Sequence, residues 1–142
     1  MGLDAQLGLE ILEVTAQVAR GRLRVDERHL QPMGLLHGGV HAACAEALAS
    51  YGAVAAARQR DPDAGAVGLE NHTSFVRAVR SGAELRIEAV PVHAGAVPSS
   101  GRWRSATTGT GSWPARRSGC SWCFPERSDA APGAAPGYPA KR

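Results

Sequence analysis

The sequence predicts an α+β fold: a curved antiparallel sheet around one long helix. Three observations carry this. About 20 residues with few strong breakers follow His37-Gly38-Gly39, and they place Val40, Ala43, Cys44, Ala47, Leu48, Tyr51 and Val54 at i, i+3, i+4 spacing, a helical stripe. Stretches with strand-like alternation lie on both sides, over 9–25, 66–76 and 84–92. The helix is rich in alanine, so a sheet can wrap close to it, where bulky side chains would hold it away.

The 142 residues suffice for one domain and one core. No basic-then-apolar leader opens the chain, and no apolar run reads as a membrane span, so a soluble cytoplasmic protein is expected. The net charge of +3 would hint at nucleic acid. Its distribution argues otherwise: residues 97–142 hold seven Lys or Arg against two acids, and residues 1–96 nine Arg against eleven. No nucleic-acid partner and no membrane partner are expected. The cysteines are Cys44, Cys120 and Cys123. Cys120-Ser-Trp-Cys123 has CxxC spacing, but no second pair or His cluster completes a zinc site and no βαβ context suits a redox motif, so no metal site is expected.

Taken in order, 9–25 reads as one or two strands with a turn near Gly21. Asp26 to Leu30 is polar and leads into Gln31-Pro-Met-Gly-Leu-Leu-His-Gly-Gly39. The helix then runs to Ala57 or Arg58, and Asp61-Pro-Asp-Ala-Gly65 is a loop by composition. The strand at 66–76 has a polar break at Asn71, His72, Thr73 and Ser74, which are candidate substrate contacts and equally read as solvent-facing polar residues. The strand at 84–92 is expected to pair with it through Ser81-Gly82.

The chemistry concentrates where the helix starts. Gly38 and Gly39 leave the first backbone N–H groups uncovered by any Cβ, and these groups carry the positive end of the helix dipole. They could hold a carbonyl oxygen that is gaining negative charge, although Gly-Gly also reads as a plain tight turn. Glu46 interrupts the apolar helix eight residues on, roughly 12 Å along the axis. One small reacting group cannot touch both ends within one chain. If both act on it, the carboxylate comes from a second copy across a two-fold axis. Arg77 and Arg80 could meet phosphates at the rim of a site, and read equally as surface arginines.

Gln31-Pro-Met-Gly-Leu-Leu-His37-Gly38-Gly39, with Glu46 nine positions after His37 and Ser50 four further on, resembles the hotdog-fold acyl-CoA thioesterases of the 4-hydroxybenzoyl-CoA thioesterase and PaaI-like group. Val67 to Arg77 and Val79-Arg80-Ser81-Gly82 resemble the second block of that family, and the likeness runs from about Leu9 to His93. It implies hydrolysis of an acyl-CoA, with an aromatic or a medium-chain acyl group, to free acid and coenzyme A. It implies that the Gly38 N–H polarises the thioester carbonyl with His37 and Gln31 nearby. Glu46 of the facing chain would act as base or nucleophile, and Ser50 would hold the water or the carboxylate. Gly39, Asn71, His72, Ser74, Arg77 and Arg80 would contact the substrate. No cofactor is implied, coenzyme A being part of the substrate. The partner implied is a second copy, as a homodimer or a homotetramer. Phe75 stands where some relatives have histidine. A non-catalytic acyl-CoA-binding domain, and an inactive pseudogene product, are the rival readings; hotdog hydratases would carry an Asp/His pair at another spacing.

Residues 1–95 read as the thioesterase domain and 96–142 as a frameshifted or disordered tail, so the final hairpin of the sheet is expected to be missing. The tail is rich in Gly, Ser, Pro, Arg and Ala, and it contains all three tryptophans. Reading each codon as the last base of one and the first two of the next turns Trp113-Pro114 into Ala and Trp122-Cys123 into Val. Most serine steps become Phe, Leu, Ile or Val. The result is strand, Asp/Gly turn, strand, similar to the closing hairpin of the family. A chain without those strands would expose a sheet edge and apolar helix surface, and it is expected to fold poorly or aggregate.

Overall fold

The computed structural model describes residues 2–75, 77–94, 101–109 and 117–123. A short helix, α1 (Leu3–Leu7), leads into strands β1 (Glu10–Val14) and β2 (Ala19–Arg24). A 3-10 turn, Glu27–His29, and a loop deliver the chain to the long helix α2 (Gly38–Arg58). Strands β3 (Val67–His72), β4 (Glu84–Ala94), β5 (Gly101–Gly109) and β6 (Arg117–Cys123) follow. They form one sheet in the order β1-β2-β4-β5-β6-β3, with every neighbouring pair antiparallel. The hotdog architecture expected from the sequence is present: α2 lies against the sheet and contacts all six strands.

Burial follows the pleat. In β2, Ala19, Gly21 and Leu23 are buried while Arg20, Arg22 and Arg24 face out. In β4, Leu85, Ile87 and Ala89 are buried beside them. On the outer face Arg20 pairs with Glu13 and with Glu88, and Arg22 with Glu10. These pairs are solvent-exposed and add little to stability. They set the polarity of the face that must stay wet.

The buried face of α2 is rotated from the expected stripe. Cys44, Ala45, Leu48, Ala49, Gly52, Ala53 and Ala57 are buried, whereas Ala43, Ala47 and Tyr51 line a cleft on the helix flank. Small residues seat the helix on the sheet, and larger apolar ones stand at its margin. A hydrophobicity pattern weights them the other way. By length and mean hydropathy (1.2 over its most apolar 18 residues) α2 could also cross a membrane. Its packing against the sheet accounts for that composition.

Gly21 is not a turn but the middle of β2; the β1–β2 turn lies at Thr15–Val18, closed by Thr15 N–H donating to Val18 O at 2.8 Å. A Cβ on Gly21 would stand 2.8 Å from the Glu10 carbonyl oxygen and 3.1 Å from Leu48 Cδ2. The glycine is there because strand and helix meet too closely for any side chain. The expected β3–β4 hairpin is also absent. Gly82, at φ +85°, turns the chain so that Gly82 N–H donates to Val25 O and Val25 N–H to Ala83 O. β4 therefore pairs with β2, and β3 goes to the far edge against β6. The strand expected to reach residue 76 ends at His72.

The final hairpin, expected to be missing, is present as β5 and β6, which fill the positions between β4 and β3. Ladder hydrogen bonds join backbone to backbone, so pairing does not depend on which side chains the strand carries. The register sets Gly109, Thr107 and Ser105 opposite the buried Leu85, Ile87 and Ala89.

Two substitutions test the seating of α2. Gly21→Ala should lower the unfolding free energy by about 1–3 kcal/mol through overpacking, whereas Gly65→Ala, with nothing within 4 Å of the new Cβ, should be near neutral. Leu48→Ala should cost about 2–5 kcal/mol. Urea titrations of the three variants measure this.

Candidate active site at the helix mouth

Hydrogen bonds tie the loop before α2 to the rest of the fold. Leu36 N–H donates to Val79 O and His37 N–H to His29 O, both at 2.8 Å. Inside the loop Gln31 N–H donates to Leu35 O at 2.7 Å, and the Gln31 side-chain oxygen accepts from Met33 N–H. Gln31 is therefore a turn-closing residue.

His37 is the N-cap of α2, and its Nδ1 accepts from Gly39 N–H at 2.9 Å. A neutral ring that accepts at Nδ1 carries its proton on Nε2, so exposed His37 offers an outward N–H. The two glycine amides thus divide. Gly39 N–H is used by the cap, while Gly38 N–H has no acceptor among the described residues. Both positions resist a side chain: a Cβ on Gly39 would meet His37 Nδ1 at 2.9 Å, and one on Gly38 the Phe75 ring at 2.8 Å.

Phe75 therefore lies against the start of the helix although it is 60% exposed, with its ring centroid 6.0 Å from that of His41. Burial lowers the His41 pKa from its ordinary value, which keeps the imidazole neutral at neutral pH. His41 and Phe75 form an aromatic wall beside Gly38. Arg77 and Arg80 are exposed on the same segment, which Val79 O fastens to Leu36, and neither has an ion-pair partner among the described residues.

Glu46 and Ser50 lie elsewhere. They line a cleft of about 240 Å³ together with Leu3, Asp4, Ala43, Ala47 and Tyr51. Tyr51 donates its hydroxyl to Asp4 Oδ2 at 2.7 Å, joining α2 to α1. The helix mouth and this cleft are separate places along one helix.

The polar residues at the end of β3 have partners of their own. Asn71 Nδ2 donates to Ala42 O at 3.0 Å and its Oδ1 accepts from the Thr73 hydroxyl at 2.7 Å, so it fastens β3 to α2. His72 alternates to the other face and pairs with Glu70 at 2.6 Å. Ser74 is exposed beside Phe75. Among the described residues no three His, Cys, Asp or Glu come together as a metal-binding group. Cys44 is buried, and burial pushes its pKa up to about 12, so its thiol is inert. The side chains of Cys120 and Cys123 lie outside the described residues.

Sequence reasoning assigned nothing to His41, Asp4 or Tyr51. His41 stands one turn after His37 and could have been found by that spacing. Tyr51 was counted in the core stripe, and nothing in a five-residue helix singles out Asp4.

The mouth generates two predictions. Gly38→Ala and Phe75→Ala should be coupled by about 0.5–3 kcal/mol in a double-mutant cycle, since the second substitution removes the ring that the first one strikes. His41, whose folded pKa is lowered, contributes stability that is fully present above its unfolded pKa and lost as pH falls below it. The urea midpoint should therefore drop between pH 7.5 and pH 5.5, and by less in His41→Gln.

Residues 33–97 match the model of the family described as thioesterase superfamily. "Putative esterase Rv1847" of Mycobacterium tuberculosis is 38% identical over 92 residues, a stretch that makes up 65% of this chain and spans 65% of that protein's length. The solved structure of Rv1847/MT1895 superposes with a TM-score of 0.76 at 30% identity, covering 89% of this chain and 98% of that one. The 1,4-dihydroxy-2-naphthoyl-CoA hydrolase of Listeria monocytogenes is 39% identical over 82 residues, covering 58% of this chain and 64% of that protein. The family match covers α2 and runs on through Phe75 and Arg80, and this chain belongs to the thioesterase superfamily.

Proposed function

We propose that the protein hydrolyses an acyl-CoA thioester at sites shared between two copies of the chain. The observation that carries this is the division of labour on α2: one unpaired N–H at Gly38, and one carboxylate, Glu46, in a cleft roughly 12 Å further along the axis. The thioester carbonyl oxygen accepts from Gly38 N–H, which stabilises the oxyanion as it forms. Arg77 and Arg80 stand at the rim for the phosphates of coenzyme A. Glu46 of a second copy takes a proton from water as the water oxygen bonds to the carbonyl carbon. The tetrahedral intermediate then expels the sulfur, which leaves as the thiol with that proton. Attack by the carboxylate itself, giving an anhydride that water opens, uses the same geometry. Ser50, one turn from Glu46, holds the water or the carboxylate.

A second copy has a place to bind. β3 is an edge strand, with Val67 57% and Leu69 65% exposed. An open edge with apolar side chains favours pairing with another chain. The cleft beside Glu46, walled by Leu3, Ala43 and Ala47 and ended by the Asp4–Tyr51 pair, suits an aromatic acyl group with a ring hydroxyl that Asp4 can accept from. The aryl-CoA named for the Listeria relative is of that class.

The same reading takes residues 96–142 as displaced in reading frame. The family match ends at residue 97, yet the structural likeness spans 98% of the Rv1847/MT1895 chain. Sequence likeness stops where the displaced frame would begin, as a single lost base would cause. Genomic resequencing across codons 90–125 should recover that base, and an intact displayed frame there would refute the artefact. The frame-restored protein should outperform this chain in soluble yield and activity.

Glu46→Gln should lower kcat on an aryl-CoA by roughly 10²–10⁴-fold; unchanged hydrolysis would remove the mechanism assigned to Glu46. Gly38→Pro, combined with Phe75→Ala to clear the ring that its Cβ would strike, removes the N–H at a helix position that tolerates proline. Co-expressed Glu46→Gln and Gly38→Pro chains should recover about a quarter of wild-type activity, through heterodimers with one intact site. Recovery of none would place both groups in one chain.

A further inference from the structure

We propose that His29 is a positioning residue that couples both half-sites through one buried imidazole; its kinetic part rests on the thioesterase reading above. His29 is 1% exposed and is the one buried polar side chain among the described residues. No step of the mechanism uses it. A buried ring is tolerable only if both nitrogens are satisfied, and here both are. Nδ1 accepts from Asp26 N–H at 3.0 Å, so the proton sits on Nε2, which donates to Leu7 O at 2.9 Å.

Those partners lead to different places. Leu7 is the last residue of α1, the helix that brings Leu3 and Asp4 to the wall of the Glu46 cleft. Asp26 caps the 3-10 turn, its carboxylate accepting from Arg28 N–H at 3.1 Å. That turn places the His29 carbonyl, which receives His37 N–H at 2.8 Å. His37 in turn holds Gly39 N–H and immediately precedes Gly38. The oxyanion donor is thus two hydrogen-bonded steps from the ring on one side, and the end of the acyl cleft is one helix away on the other.

Two conservative variants separate the arms. Asn places its side-chain oxygen near the Nδ1 position and keeps the bond to Asp26 N–H, but loses Leu7. Gln places its NH2 near Nε2 and keeps Leu7, but loses Asp26. His29→Gln should lower kcat about tenfold with KM within about twofold, because the donor at the mouth is displaced. His29→Asn should keep kcat within about twofold and raise KM for the preferred acyl-CoA about fivefold, because the cleft wall loosens. Assays are run on the full chain, per folded molecule, well below the melting midpoint. Parallel changes in kcat and KM for both variants, or a changed melting temperature with wild-type kinetics, would overturn the proposal.

Amide hydrogen exchange without substrate gives an independent reading. His29→Gln should speed exchange at His37 and Gly39, and His29→Asn should leave both as in the wild type. Equal exchange at both amides in the two variants overturns the coupling even if the enzyme is active. If the wild type cleaves no thioester, the function reading fails, and the exchange pattern alone upholds or overturns the coupling through His29.

Discussion

The close approach of α2 to the sheet is the constraint on which the rest of the structure depends. It is possible because the contact rows of the helix are Ala45, Ala49, Ala53 and Ala57, with Gly52 among them, and because β2 presents Gly21 beneath Leu48. Short side chains bury less area each, but they allow the backbones to come together and the sheet to curve around the helix. Leu48, Leu23, Leu85 and Ile87 fill what remains, all at 2% exposure or less. A larger residue at Gly21 or Ala49 would lift the helix, and the helix is what carries the chemistry.

Once α2 is fixed, its first turn becomes a rigid electrostatic device. The dipole and the uncapped amides would attract any anion. What makes this end selective is local: His37 takes one of the two amides, Phe75 and His41 wall the other, and Val79 fastens the arginine-bearing segment to the loop. The carboxylate on the same helix points into a different cleft. Under the proposed mechanism the two groups act together only across two chains, because roughly 12 Å of helix separates them within one.

The span of α2, the strand at 84–92 and the start of the helix at His37-Gly38 were legible in the sequence. Each depends on local signals: a glycine pair, a helical run free of breakers, an alternating stretch. The buried stripe was read one face off, because hydrophobicity scales weight Val and Tyr above Ala whereas close packing reverses that order. Gly21 was read as a turn because a glycine demanded by a neighbouring helix looks the same in sequence as one demanded by a positive φ. The β3–β4 hairpin was wrongly inferred from Ser81-Gly82, since a turn does not say which strand it returns to. The tie that Asn71 makes from β3 to Ala42 O of α2 was not legible either. His29 and the Asp4–Tyr51 pair left no local signal, because their roles exist only between elements distant in sequence. The closing strands were not legible, since their residues lack the alternation that marks a strand, and the sheet forms them through backbone pairing.

The most direct measurement is a crystal structure of the protein with a non-hydrolysable ketone analogue of an aryl-CoA. The account expects the analogue's carbonyl oxygen about 3 Å from Gly38 N of one chain, with Glu46 of the second chain beside the carbonyl carbon and the aryl ring in the cleft ended by Asp4 and Tyr51. A carbonyl bound away from Gly38, or a Glu46 from the same chain at the carbonyl carbon, would contradict it.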